Sequence, residues 1–306
     1  MMKWLQLSNR GEDMKILITG FKGQLGSQIM NMISSGKSEL GDISLQYKSA
    51  EIVGVDVKEL DITNLNQVQN FVCKLKPDLI INAAAYTNVD ACESNEDIAF
   101  KVNALGIRNL AIASEKVGAK IIHISTDYVF KGDGNMPYRE YDITNPVSVY
   151  GKTKLAGENF VRELCSRCFI IRTSWLYGYN GNNFVKTILK AGKEKGHLDV
   201  VNDQRGNPTN AEDLSYHILK LALSEEYGTY HCTGTGECSW YDFACKIIEY
   251  ADIKCTVSPM KSNQLTRAAK RPYYSSLDNM MLRCTVGDEM REWKDALKMF
   301  IDKIGD

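Results

Sequence analysis

From Lys15 onward the chain alternates between two hydrophobic periods. Short apolar runs at 15–19, 51–55, 78–83, 120–125 and 169–173 read as strands. The stretches between them repeat apolar residues near every 3.6 positions and predict helices over 24–35, 64–75, 95–117 and 149–164. Strands that are apolar throughout need cover on both faces, so the pattern predicts an α/β fold: a Rossmann-like doubly wound parallel sheet with right-handed crossovers. After Trp175 the alternation loosens. Helical spacing recurs at 183–195, 211–223, 240–251 and 287–301, and two strand-like pieces, 198–202 and 228–232, can return to the main sheet. The expected division is an N-terminal extension (1–13), a dinucleotide-binding domain (14–176) and a smaller substrate-binding lobe (177–306).

Composition narrows the function classes. Lysine and arginine total 37 against 38 acidic residues, so a net charge of −1 gives no general reason to bind nucleic acid or an anionic membrane. No apolar run reaches the roughly 18 residues of a membrane span, and 1–13 lacks the apolar core of a signal peptide. Nine cysteines, scattered through apolar segments, suit reduced thiols in the cytoplasm. The CxxC at Cys165 and Cys168 has no second pair to complete a metal site and reads as core packing; no metal is expected.

Gly20, Gly23 and Gly26 lie in a GxxGxxG run that follows a strand and opens a helix, the setting in which a backbone approaches a pyrophosphate. Asp56 ends the second strand, where a carboxylate can accept from a ribose hydroxyl and repel a 2′-phosphate. That favours NADH, but an insertion over 36–50 lengthens the usual spacing and Lys22 can offset a phosphate, so NADPH stays open. Asp61 is either an adenine contact or a helix-start acid. Three alanines after Asn82 allow close approach of a flat ligand, or simply tight packing.

Tyr150 and Lys154 stand four residues apart on one helical face, which places a phenol beside an ammonium. Reducing a ketone puts negative charge on oxygen, and a proton donor with a nearby cation lowers that barrier. A neighbouring lysine together with the nicotinamide's positive charge should stabilise the phenolate and pull the phenol pKa down from about 10. Thr126, at the end of the fourth strand, is the choice for holding the carbonyl, ahead of Ser125. Asn103 fixes a group behind Lys154 or is a plain helix asparagine. Arg205 and Arg271 are candidates for a substrate diphosphate, since guanidinium forks suit phosphate oxygens.

The segments GFKGQLG from Gly20, INAAAYTNVDACE from Ile81, ISTDYVF from Ile124, VYGKTKLAGE from Val149, RTSWLYG from Arg172, GNNFVKT from Gly181 and NDQRGNPT from Asn202 resemble the extended short-chain dehydrogenase/reductase family. More narrowly they resemble its dTDP-4-dehydrorhamnose reductase branch. The resemblance implies that NADH or NADPH reduces the 4-keto group of dTDP-6-deoxy-L-lyxo-4-hexulose, giving dTDP-L-rhamnose for cell-surface polysaccharide. It makes Tyr150 the acid, with Lys154 lowering its pKa and holding the nicotinamide ribose. It also sets Thr126 at the carbonyl oxygen and has Asp127 and Trp175 contact the sugar nucleotide. Gly23, Gln24, Leu25, Asp56, Asp61, Ile62, Ala85, Tyr86 and Thr87 match the family's cofactor positions. The expected partner is a dTDP-sugar, and a homodimer is left open. A reductase of another dTDP-4-keto-deoxysugar fits the same residues, and two readings of other kinds stand beside these. A nucleotide-sugar dehydratase of the family carries Asp-Glu after the strand-end threonine, whereas this chain has Asp127-Tyr128. A dinucleotide-binding regulatory subunit, as in the beta subunit of methionine adenosyltransferase, has no chemical need for threonine, tyrosine and lysine together.

Overall fold

The computed structural model describes residues 14–305, so the extension 1–13 lies outside the described residues. Six strands form one parallel sheet: β1 Lys15–Thr19, β2 Glu51–Val55, β3 Leu79–Asn82, β4 Lys120–Thr126, β5 Cys168–Thr173 and β6 Gly228–His231, in the order β2-β1-β3-β4-β5-β6. Helices α1 Gln24–Ser35, α2 Leu65–Leu75, α3 Ile107–Val117, α4 Val149–Leu164, α5 Phe184–Lys195, α6 Ala211–Ala222, α7 Trp240–Tyr250 and α8 Trp293–Gly305 complete the frame.

The period of two along β1 sorts its side chains between two cores. Ile16 and Ile18 face one layer, where Ile29, Met32 and Ile33 of α1 meet Leu214 and Ile218 of α6. Leu17 faces the other, with Val68 and Val72 of α2, Ile107 and Leu110 of α3 and Val161 of α4. Cys165 is buried in this second core with its sulfur 3.3 Å from the Ser114 hydroxyl, and both CxxC thiols are free. A third core, built on Val185, Ile188, Phe243, Ile247, Leu297 and Phe300, joins α5, α7 and α8 around a parallel strand pair, His197–Val201 with Thr256–Met260.

Three sequence expectations need correction. The piece at 198–202 does not enter the main sheet, because Thr256–Met260 supplies its partner; the piece at 228–232 does enter, beside β5. The last helix starts at Trp293 rather than 287, since Arg291 is drawn into an ion pair with buried Asp213 and the preceding turn passes through Gly287 at φ 84°. The expected 95–117 helix is interrupted. An α-turn at Glu96–Phe100 passes into a π-helical segment, Lys101–Gly106, before α3. The insertion at 36–50 forms a small hairpin and a 3₁₀ turn, anchored by buried Tyr47 donating to the Leu219 carbonyl at 2.7 Å.

Candidate active site

The chain leaves β1 for β2 on one side, then crosses to β3 on the other, so the carboxyl ends of β1 and β3 flank the crevice that open α/β sheets use for ligands. Gly20 turns there at φ 69°, and a Cβ on it would lie 2.7 Å from the Ala84 nitrogen. Only a residue without a side chain lets that turn sit on the alanines. Gly23 then caps α1 with no side chain bonded to the free N–H groups, whereas Asn64, Ser148, Asn183, Asn210 and Ser239 cap α2, α4, α5, α6 and α7 with theirs. A cradle lined by backbone and an uncapped helix start suits a pyrophosphate.

A cavity of about 260 Å³ opens beside it, walled by Gly20, Gly23, Asp56, Asp61, Ile62 and Ala83 to Ala85. Asp56 accepts from the Lys22 N–H at 3.2 Å, and the Lys22 ammonium lies 3.4 Å from Glu59 on the surface. Asp61 accepts from both the N–H and the hydroxyl of Thr63, at 2.9 and 2.8 Å, so it forms the turn before α2 while lining the cavity. Asn109 holds the Ile62 carbonyl at 3.0 Å.

Gly23, Ala83 and Ala85 are shared with a larger cleft of about 550 Å³, so the two form one trough. Gln24 is fixed at its edge, donating to the Leu176 carbonyl at 3.1 Å and accepting from Asn183 at 3.0 Å. Leu25 and Thr87 also line it. Tyr86 is gripped through its backbone: its N–H donates to Asn103 at 2.8 Å and its carbonyl accepts from Asn103 at 3.1 Å. Asn103 therefore secures the β3 loop, and also bonds Thr153 of α4 at 3.2 Å; the π-helical turn carries it there.

Ser148 caps α4 by accepting from the Gly151 N–H, and Tyr150 and Lys154 follow one turn apart, both lining the cleft. Two close backbone approaches seat this helix. A Cβ on Gly151 would come within 2.2 Å of the Tyr128 carbonyl oxygen, and one on Gly157 within 2.4 Å of the Asn103 carbonyl oxygen. Lys154, 2% exposed, donates to the Ile124 carbonyl at 2.6 Å. Burial pulls its ammonium down to about 8, against the opposing pull of Glu158. That carboxylate, one turn on, accepts from Ser125 at 2.5 Å, from the Arg172 Nε and Nη2 at 2.9 and 2.8 Å and from Arg162 at 2.6 Å. Ser125 and Thr126 both line the cleft, but the Ser125 hydroxyl is committed to Glu158 in this network.

In the protein alone Lys154 does not lower the phenol. Burial pushes Tyr150 above its ordinary value, and the neighbouring charge of Asp127 pushes the same way; what pulls it down is the Thr126 hydroxyl beside it. The Lys154 ammonium is engaged by a backbone carbonyl instead. Thr126 donates to Asp127 at 2.9 Å, and Asp127, 2% exposed, is raised by burial to about 6.

Trp175 lines the far wall, stacked on Trp240 with ring centroids 3.5 Å apart. Its backbone is left-handed, at φ 45°, a costly conformation for a bulky residue. Past Tyr128 and Trp240 a further cavity of about 220 Å³ carries Arg267 and Arg271. Arg271 forms a forked pair with Asp90, at 3.0 and 2.7 Å, and holds that carboxyl down at about 2. Arg205 is not brought to either cavity: Glu237 binds its Nε at 3.1 Å on the outer side. Sequence reasoning missed Trp240 and Arg267, which no motif marks, and the Glu158–Arg172 pair. Glu158 falls inside VYGKTKLAGE and was legible as the residue one turn beyond Lys154.

Comparison with known proteins gives a consistent result. The spore coat polysaccharide biosynthesis protein SpsK of Bacillus subtilis is 36% identical, covering 94% of this chain and 97% of its own length. The crystal structure of a dTDP-4-dehydrorhamnose reductase from Clostridium acetobutylicum is 48% identical with a TM-score of 0.90, covering 96% of this chain and 100% of that one. The Bacillus anthracis dTDP-4-dehydrorhamnose reductase in complex with NADP is 44% identical with a TM-score of 0.89, covering 95% and 100%. The model of the RmlD substrate binding domain matches residues 14–305, and the chain belongs to that family.

Proposed function

We propose that this chain is an NAD(P)H-dependent dTDP-4-dehydrorhamnose reductase, reducing the 4-keto group of dTDP-4-dehydro-6-deoxy-L-mannose to give dTDP-L-rhamnose for cell-surface polysaccharide. The observation that carries the reading is the meeting of Tyr150, Lys154 and Thr126 where the dinucleotide trough opens onto the Trp175 wall. Relatives of 44 and 48% identity bear the reductase name, and one of them was crystallised with NADP.

In this mechanism the nicotinamide, when bound, supplies the hydride. Gly20, Gly23 and the start of α1 cradle the pyrophosphate; Gln24 and Leu25 border it; Asp56, Asp61 and Ile62 wall the adenosine end; Ala85, Tyr86 and Thr87 wall the nicotinamide end. Gly26 serves as the packing glycine. Thr126 orients the carbonyl oxygen, and Tyr150 donates a proton to the alkoxide as it forms. A phenol raised by burial is fully protonated at neutral pH, as a general acid must be. Lys154 adds positive charge beside the developing oxyanion and a donor for the nicotinamide ribose. Asp127 and Trp175 contact the sugar, and Arg271 faces the diphosphate with Arg267 beside it. Arg205 drops out of this set. Nine free thiols suit a reducing cytoplasm, and no described helix is long and apolar enough to cross a membrane.

The test supplies purified protein with dTDP-4-keto-6-deoxyglucose, its 3,5-epimerase, and NADH or NADPH separately, and follows loss of reduced-cofactor absorbance. Oxidation that requires the epimerase is the expected result and fixes cofactor preference. Oxidation without it would make this a D-sugar reductase, and none with either cofactor would refute the assignment.

A further inference from the structure

Thr126 has one hydroxyl proton and two claims on it. In the structure Thr126 Oγ1 donates that proton to Asp127 Oδ1 at 2.9 Å and itself accepts the Tyr128 N–H at 3.2 Å, and Tyr150 lines the same cleft. With Asp127 ionised, Thr126 has no proton left to offer the substrate carbonyl, because its hydroxyl points to Asp127 and away from the ketone. A proton on Asp127 reverses the bond: the carboxyl donates to Thr126, whose hydroxyl is freed for the carbonyl oxygen beside the Tyr150 phenol.

Building on the reductase reading, we infer that Asp127 is a positioning residue whose protonation sets the direction of the Thr126–Asp127 hydrogen bond, so that Thr126 can donate to the substrate carbonyl when Asp127 carries a proton. No net proton is consumed at Asp127. As hydride reaches carbon, the Tyr150 O–H bond breaks and a new O–H bond forms on the substrate oxygen; the phenolate then takes one proton from solvent to restore the enzyme.

Two observations support a proton there. Asp127 Oδ2 is buried with no partner in hydrogen-bond geometry, the Ser275 hydroxyl near it donating to the Arg205 carbonyl at 3.4 Å instead, and an unpaired carboxylate oxygen is costly where an unpaired neutral one is less so. The groups around it are also poor counter-charges. Burial dominates its titration; the hydroxyls of Ser275 and Thr126 and nearby backbone N–H groups pull it down only as far as about 6. From α4 it faces Tyr150, and from its own turn Tyr128, both neutral acids pushed further up by its charge. Arg271, Arg267 and Asp90 act on Tyr128 from the outer side, and the Lys154 ammonium is held by the Ile124 carbonyl. A substrate diphosphate adds negative charge and favours the protonated form further.

The test is the pH profile of kcat at saturating cofactor and ketosugar, with the epimerase in excess, for wild type and Asp127→Asn. The asparagine amide donates to Thr126 at every pH and so mimics the protonated acid. Wild-type kcat is expected to fall by about tenfold per pH unit on the alkaline side of the Asp127 transition. Asp127→Asn is expected to be flat from about pH 5 to 7.5, losing rate only where Lys154 titrates. An identical profile in both proteins, or a flat wild type, would overturn the inference. Thr126→Val supplies a second reading if the asparagine variant does not fold: without the hydroxyl the Asp127 transition must vanish from kcat, and its persistence would equally overturn it. A carboxylate that only grips a sugar hydroxyl would change KM and leave the kcat profile untouched. Wild type inactive at every pH would sink the reductase reading itself and the inference with it, whereas an active wild type with an unchanged profile removes the inference alone; Tyr150→Phe, expected to lose turnover by a factor of about 10² to 10⁴, marks the background rate.

Discussion

Lys154→Met should make the protein more stable while abolishing its turnover. The side chain is 2% exposed, and burial pulls its pKa from 10.5 to about 8. The difference, 10.5 − 8, corresponds to about 3 kcal/mol of penalty for holding the ammonium in the fold, at about 1.36 kcal/mol per pKa unit. Against this stands the charge-assisted bond to the Ile124 carbonyl, worth about 1.5 to 3 kcal/mol, which methionine cannot make. The absolute gain is therefore about 0 to 2 kcal/mol, and its pH dependence is the sharper measure. A lysine whose folded pKa is depressed carries its full penalty below the folded value and sheds it as pH rises through the unfolded one. The stability gap between variant and wild type should thus shrink by about 2 kcal/mol between pH 7 and pH 10. Urea unfolding followed by circular dichroism at both pH values measures that double difference, in which the titration of all other groups largely cancels. A gap that stays constant, or widens, would refute the claim that the ammonium is held against a desolvation cost.

Three further outcomes follow from other parts of the site. Glu158→Gln leaves Arg172 buried without its carboxylate and should cost about 3 to 5 kcal/mol in urea unfolding. Burial alone would raise the Glu158 carboxyl, but Arg172, Ser125 and Arg162 hold it below 4.5, so its contribution is full above that value and the gap between variant and wild type should close as pH falls beneath it. Gly157→Ala puts a methyl 2.4 Å from a backbone oxygen; an overpacking loss of about 1 to 3 kcal/mol, with lower kcat, is expected from unfolding curves and steady-state assays. Arg271→Ala should raise KM for the nucleotide sugar with a smaller change in kcat, and an unchanged KM would remove Arg271 from the diphosphate site.

Much of the frame follows from local pattern. The runs at 15–19 and 51–55 and the helices at 24–35 and 149–164 are found where hydrophobic period places them, because each buries a face that its own spacing defines. The glycine turn after β1 and the Tyr150–Lys154 spacing were legible for the same reason: both depend on residues near in sequence. Elsewhere spacing misled. Helical periodicity across 95–117 could not reveal the π-helical turn that delivers Asn103 to the Tyr86 backbone, and nothing local showed that Arg205 would be captured by Glu237, 32 positions away.

The sequence by itself determined the elements, the glycine turn after β1 and the types of side chain near it, since period, capping and steric freedom act over a few residues. Only the tertiary structure decided their chemical state. Packing α4 against the π-helical turn buries Lys154 and raises Tyr150; the ends of β4 and β5 place Ser125 and Arg172 around Glu158; the chain between β6 and α7 brings Trp240 onto Trp175. A pKa, an ion pair or a stacked wall depends on what lies within a few ångströms in space, and residues far apart in sequence meet there only once the sheet and its covering layers have formed.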